Sequence, residues 1–263
     1  LRDSAGSLGL SGTTRAGFDQ KIAETQALLS RAATLAIDQT EVDDDELELR
    51  VTIHNHSGHK LPTGYPSRRV WLALSVRDST GDLIFQSGVP DSEGRLPIDA
   101  TLESAGCVNI QASPATCVAP HVDVVTDAAQ VPIYESVLGT TEDQLTHTLL
   151  LADHYLKDNR IPPRGFSASD ARYDPATAVV GIGADDDFNA NGNGADAVDY
   201  RIDVEDSEGP WTVEATLYYQ SIRPSFIAAT AGDSDSGRNS RILTATVPPV
   251  PETLATATLQ ISD

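Results

Sequence analysis

Leu47-Glu48-Leu49-Arg50-Val51-Thr52-Ile53-His54 alternates apolar and polar residues without a break. Side chains along an extended chain point to opposite faces at each step, so Leu47, Leu49, Val51 and Ile53 share the buried face of a half-exposed strand. Working outward, Val70-Trp71-Leu72-Ala73-Leu74-Ser75-Val76 is expected to be its partner. That run turns at Asp78-Ser79-Thr80-Gly81-Asp82 into Leu83-Ile84-Phe85-Gln86, a hairpin signal. Further strands are expected at His121–Thr126, at Ile133–Leu138 and within Thr146–Tyr155, although Leu145, Leu149 and Leu156 fit a helical period equally well. Val198–Val204 and Trp211–Tyr219 read as another hairpin through Glu205-Asp206-Ser207-Glu208-Gly209-Pro210. Thr253–Ile261 closes the chain with Ala255, Ala257, Leu259 and Ile261 on its apolar face.

Upstream of the acidic run Val42-Asp43-Asp44-Asp45-Glu46 the period changes. Phe18, Ile22, Thr25, Leu29, Ala32 and Ala36 follow each other at four- and three-residue steps, with Leu28 and Leu35 beside them. This predicts a helix capped by Thr13 or Thr14 and ending near Asp38, roughly 23 residues and about 34 Å long. Its apolar seam is expected to cover the β-domain or a missing neighbour. Roughly seven to nine short strands separated by Gly/Pro turns, with no fixed repeat, predict a mainly β fold. The expected architecture is an antiparallel two-sheet, immunoglobulin-like sandwich behind one long N-terminal α-helix. The expected division is 1–44 for the helix and acidic linker, and 45–263 for the sandwich.

Length and composition bound the function. The 263 residues are 40% hydrophobic, which suits a globular chain with a substantial core. No apolar run approaches the ~18 residues of a membrane-spanning helix, so no membrane span is expected. The chain starts at Leu1 and contains no Met, from which a processed or excised form of something longer is expected. Asp and Glu number 39 against 18 Lys and Arg, a formal net charge of −21. Such a field repels phosphate backbones, which argues against nucleic acid as a partner, and suits a salty medium, cation binding or a cationic partner. The two cysteines, Cys107 and Cys117, flank a short polar loop containing Pro114. That spacing fits neither a zinc knuckle nor a Cys-x-x-Cys redox pair. In an exported protein such a pair forms a structural disulfide, so an extracytoplasmic location, periplasmic or cell-surface, is expected.

Between the first two strand-like runs lies Asn55-His56-Ser57-Gly58-His59-Lys60-Leu61-Pro62-Thr63-Gly64-Tyr65-Pro66-Ser67-Arg68-Arg69, a turn rich in histidine, basic residues and proline. It resembles the Asn-x-x-Gly-His-Lys-x-Pro-Thr segment in the C-terminal β-domain of bacterial multihaem c-type cytochromes. Tyr155-Leu156-Lys157-Asp158-Asn159-Arg160-Ile161-Pro162-Pro163-Arg164-Gly165-Phe166 resembles a second signature of that domain. The resemblance runs from about Leu1 to the Tyr218-Tyr219 strand. It implies a non-catalytic accessory or assembly domain that packs on, or caps, a haem-bearing domain or subunit. The chain departs from the family in lacking any Cys-x-x-Cys-His, so haem c would come only through that partner. Within the resemblance, His59 has two readings: it braces the turn together with the Lys60 stem, or it faces a haem as axial ligand or hydrogen-bond donor. Lys60, Arg68 and Arg69 form a basic cluster that would meet haem propionates or neighbouring aspartates.

Two other constellations point to metals. His54, His56 and His59 have a His-x-His-x-x-His spacing similar to the metallo-β-lactamase signature. Gly58 stands where that family carries Asp, and the expected fold lacks its alternating helices, so no enzyme is expected. Asp187-x-Asn189-x-Asn191-Gly192 matches the first half of a calcium loop, but its twelfth position is Val198 rather than Glu. Asp185, Asp196 or Asp199 could supply the missing carboxylate, or the run is a solvated Asx/Gly turn. The alternative to the cytochrome reading is therefore a calcium-stabilised extracellular binding or adhesion module with no redox role.

Overall fold

The computed structural model describes residues 15–42, 45–107, 117–230 and 235–262. In chain order it contains α1 (Arg15–Leu29), β1 (Ala33–Val42), β2 (Glu46–Asn55), β3 (Arg69–Arg77), β4 (Leu83–Ser87), α2 (Pro97–Ser104), β5 (Val124–Val125) and β6 (Ile133–Gly139). There follow β7 (Leu145–Thr146), β8 (His154–Asp158), β9 (Ala195–Asp203), β10 (Trp211–Gln220), α3 (Pro224–Thr230), α4 (Asp235–Thr246) and β11 (Glu252–Ile261). The fold is mainly β, two sheets packed as a sandwich with a helix in front. One sheet has the order β1-β2-β9-β5, and the other β11-β10-β3-β6-β7 with β4 beside β3 and β8 beside β6. All pairs are antiparallel except β5 with β9.

The alternation in β2 has the expected consequence. Leu47, Leu49, Val51 and Ile53 are fully buried, and they share one core with Leu72, Leu74, Val76, Val213, Ala215 and Leu217 of the opposite sheet. Each such side chain contributes about 1.5–3 kcal/mol relative to exposure. β3 is buried on both faces instead. Its outward Trp71 packs with Leu96, Ala119, Val131 and Ile133, and its indole Nε1–H donates to the Gly88 carbonyl at 2.8 Å. The segments around α2 and before β6 thus cover what would otherwise be a wet face, which is why the β3 sequence is a continuous apolar run.

Several expectations need correction. The helix stops at Leu29, and Ala33–Val42 is a strand paired along its length with β2, from Ala33 opposite Asn55 to Val42 opposite Leu47, with a register shift between Gln39 and Glu41. Thr34 and Ile37 favour the pleated surface, and pairing covers an edge of β2 that would otherwise be open. The strands on either side of the expected boundary at residue 44, β1 and β2, pair with each other. The apolar seam of α1 is not buried: Ile22 and Leu28 are exposed, and only Leu29 packs against the core. The caps expected at Thr13 and Thr14 lie outside the described residues.

Two expected hairpins are crossings between layers. β2 pairs with β1 and β9 while β3 pairs with β10, β4 and β6, so the chain changes sheet through residues 56–68. β9 and β10 likewise lie in different sheets on either side of Glu205–Pro210. Period two reports which face is buried but is silent on the partner. The β3–β4 hairpin is as expected, with Leu74 opposite Ser87. Within His121–Thr126 only Val124 and Val125 pair, and Thr146–Tyr155 divides into β7, a 3-10 turn at Leu149–Leu151 and β8. Helices α2, α3 and α4 were not expected. Cys107 and Cys117 are bonded as expected, with their Cα atoms 5.1 Å apart; the loop between them lies outside the described residues.

Candidate functional site

The crossing from β2 to β3 is the turn singled out in the sequence, and its brace is the second signature. Asn55, buried at the end of β2, donates through Nδ2 to the carbonyls of His59, Ile161 and Pro162 at 2.9, 2.9 and 3.1 Å. Its Oδ1 accepts from the Ser57 amide and hydroxyl. Leu61 and Ile161 exchange two backbone hydrogen bonds, 2.8 and 3.0 Å, so the two segments are sewn together as a short antiparallel bridge. Lys60 reaches the fully buried Asp158 at 2.6 Å, and Arg160 grips the same carboxylate through Nε and Nη2. Burial lowers the Lys60 pKa even though Asp158 opposes it. Gly194 completes the clamp, because its carbonyl accepts from the Asn55 amide and its φ of +70° is open to glycine. A Cβ there would lie 2.6 Å from the Arg164 nitrogen.

The four residues expected to face a haem separate into two kinds. His59 is exposed, and its ring makes one long contact, from Nδ1 to the Lys60 carbonyl, 3.4 Å. Lys60 is committed to Asp158, and Arg68 donates to the Thr63 carbonyl at 2.8 Å. Arg69 is interior, with Nη1 and Nη2 each 2.8 Å from a carboxylate oxygen of Asp99 and Nε on Gln220. Lys60 and Arg69 thus meet aspartates, one of the two expected outcomes for the basic cluster, and the Arg69 pair with Asp99 of α2 is buried. Nor do His54, His56 and His59 converge: His56 bonds Thr34, and the three do not form a ligand group among the described residues.

Beneath Arg69 lies a second buried charge group. Glu135 is held by Arg223 and by Lys157, the latter at 3.5 Å. Burial works against the Glu135 carboxylate, but Arg223, Lys157 and Arg69 hold its pKa below the ordinary value. A cavity of about 20 Å³ beside it is lined by Arg69, Glu135, His147 and Arg223, enough for one water. His147 Nε2 and Arg223 Nε have no protein partner there. Burial, followed by the Arg223 charge, depresses the His147 pKa to about 3.

The acidic segment assembles differently from a calcium loop. Asn189 and Asn191 adopt left-handed φ values of 52° and 54°. Both ends of the Asn189 amide are used internally, Nδ2 on the Phe166 carbonyl and Oδ1 on the Gly194 amide. Asn191 is exposed at the tip. Asp199 is taken by Arg50 in a bidentate pair, 2.7 Å on both arms. Of the expected ligands, Asn189 and Asp199 are thus engaged internally and Asn191 lies at the exposed tip, while Asp185, Asp187 and Asp196 belong to groups of carboxylates that lie close together. To these the structure adds two residues that the sequence reading missed, His121 and Asp123. Ligand atoms of His121, Asp185 and Asp196 lie within 4.8 Å of one another, as do those of Asp123, Asp185 and Asp187. Asp196 Oδ2 accepts from the Tyr134 hydroxyl at 2.6 Å, while its Oδ1, in a residue 1% exposed, has no partner among the described residues.

Electrostatics sort these carboxyls. Burial raises the Asp196 pKa well above its ordinary value, and burial with the Asp185 charge raises those of Asp187 and Asp123. Burial also works against Asp185, but His121 and the amides of Phe188 and Asp187 hold it below the carboxylate norm.

No family model and no curated protein matches this chain. Among solved structures, a penta-heme cytochrome c552 from Thermochromatium tepidum is similar with a TM-score of 0.49 and 15% identity. The match covers 90% of this chain and 41% of the cytochrome, so the chain spans less than half of that protein's length.

Proposed function

We propose that this chain is a non-catalytic accessory β-sandwich of an extracytoplasmic multihaem cytochrome system, which docks on a haem-bearing partner through the His59 turn. One observation carries the reading. Of the residues matched in the first segment, Asn55, Gly58, His59, Lys60, Pro62 and Thr63, Asn55 and Lys60 brace the turn together with Asp158 and Arg160 of the second segment, and the His59 ring is left facing solvent. A turn held by five hydrogen bonds to one asparagine is preorganised to present that imidazole, which lowers the entropic cost of docking. The exposed Nε2 is the atom that would meet iron, propionate or a partner carboxylate. Lys60 and Arg69 are excluded from that contact by their internal pairs. The disulfide supports an oxidising compartment.

The test is to purify the native assembly and record its visible spectrum, then repeat with His59→Ala. A c-type Soret band that co-purifies with the chain, and a changed haem spectrum or weakened association in the variant, supports the reading. A haem-free assembly refutes it. A second reading, a calcium-stabilised binding module without redox role, is favoured by the acidic centre and would give that haem-free result.

A further inference from the structure

We propose that Asp185 anchors a site for one calcium ion, with Asp123, Asp187 and Asp196 supplying further carboxylate oxygens and His121 orienting Asp185 rather than binding the ion. The inference is independent of the haem reading. Its starting point is Asp196, whose Oδ1 is buried with no donor among the described residues although Oδ2 is satisfied by Tyr134. Native interiors rarely strand a carboxylate oxygen, so an oxygen left open beside other carboxylates points to a cation.

The role of His121 follows from its neighbour. Asn159 Oδ1 accepts from the Glu135 amide at 3.0 Å and Nδ2 donates to the Ile133 carbonyl at 2.8 Å, which fixes the orientation of the side-chain amide. Its second N–H then points at His121 Nδ1, 3.0 Å away, which must accept. A neutral imidazole that accepts at Nδ1 carries its proton on Nε2, and that proton goes to Asp185 Oδ2 at 2.8 Å. With Nε2 so occupied, the ring has no lone pair for a metal. The remaining donors are all oxygen, a set that selects hard cations over zinc or copper.

Calcium tolerates a wider and less regular oxygen set than magnesium does. Two oxygens bound to calcium at about 2.3–2.6 Å can stand up to about 5 Å apart, whereas octahedral magnesium at about 2.1 Å allows only about 4.2 Å. The ligand atoms fall in two groups that share Asp185, each within 4.8 Å, a separation that calcium can bridge. Arg50 makes its bidentate pair with Asp199 and an ion pair at 3.6 Å with Asp187, so it offsets part of the charge of the cluster.

The test uses the full chain, stripped with chelator and titrated with calcium by calorimetry, with terbium emission excited through tyrosine as a positional readout. Tyr134 touches Asp196, so terbium bound here is sensitised, and calcium should displace it. The expected result is saturable one-site binding. Asp123→Asn and Asp187→Asn should weaken it at least tenfold while the chelated proteins melt no lower than the parent. Asn191→Ala, at the exposed tip, should bind as the parent does. Absence of saturable binding up to about 10 mM calcium, beyond the weak extracellular range, would overturn the proposal. So would unchanged affinity in both Asp variants, or loss of binding in Asn191→Ala alone. Asp196→Asn adds to the case if it folds, but Asp123→Asn decides without it.

Discussion

Replacing Asn55 by alanine removes the pin that joins the two signature segments. Not every partner is orphaned by the change. The Ile161 carbonyl keeps the Leu61 amide, and the His59 carbonyl keeps the Ser57 hydroxyl. The Pro162 carbonyl and the Ser57 amide lose the partner that Asn55 supplies. At about 1–3 kcal/mol for each stranded buried group, and less for the half-buried Ser57, the loss should be about 2–4 kcal/mol. Asn55→Asp is the sharper variant, since it keeps the shape but turns a carboxylate toward three carbonyl oxygens. It should cost more than alanine at neutral pH and recover partly on acidification. Urea unfolding measures both: with an m-value of about 2–3 kcal/mol/M, the midpoint for Asn55→Ala should fall by about 0.7–2 M. An alanine variant within about 0.5 kcal/mol of the parent, or an aspartate variant equal to it, would refute the claim that Asn55 holds the turn.

The same reasoning predicts that His59→Ala changes stability by less than about 0.5 kcal/mol, because the ring is exposed and makes one long contact; a loss above about 2 kcal/mol in thermal unfolding would return His59 to a bracing role. His147 has a pKa of about 3 when folded, below its ordinary value of about 6.5, so the unfolded chain binds the extra proton between those limits. Its contribution is therefore present above pH ~6.5 and falls by about 1.4 kcal/mol per pH unit below it; the stability difference between parent and His147→Gln should show that slope, and parallel curves would contradict it. Reducing Cys107–Cys117 or replacing both with alanine should cost about 3 kcal/mol, read by denaturant unfolding; no change would show that the loop is not restrained by the bond.

Strand faces were legible and strand partners were not. Leu47–Ile53 announces a buried face by its spacing, and β2 buries those residues. Which sheet accepts the next strand depends on the 56–68 crossing, and there the deciding contacts reach Ile161 and Pro162, a hundred residues away in sequence terms. The Ala33–Val42 segment carried a helical spacing and a β-branched content at once, and the need of β2 for a partner decided it. For the site, the turn was visible as a motif, yet the burial of Arg69 was not, since a basic pair on an acidic chain looks like surface until α2 brings Asp99 to it. The acidic run Asp185-x-Asp187 was visible too. His121 and Asp123 were not, because nothing local marks a His-x-Asp that meets its partners only through the parallel β5–β9 pairing.

The central claim is that the His59 turn is the surface that meets a haem protein. A photo-crosslinking amino acid placed at position 59 in the producing cells tests it most directly, with the same group at Lys21 on exposed α1 as the comparison. The account predicts an adduct from position 59 that carries covalent haem by peroxidase stain, and none of that species from position 21. A haem-free adduct from position 59, or the same haem-bearing adduct from both positions, would contradict it.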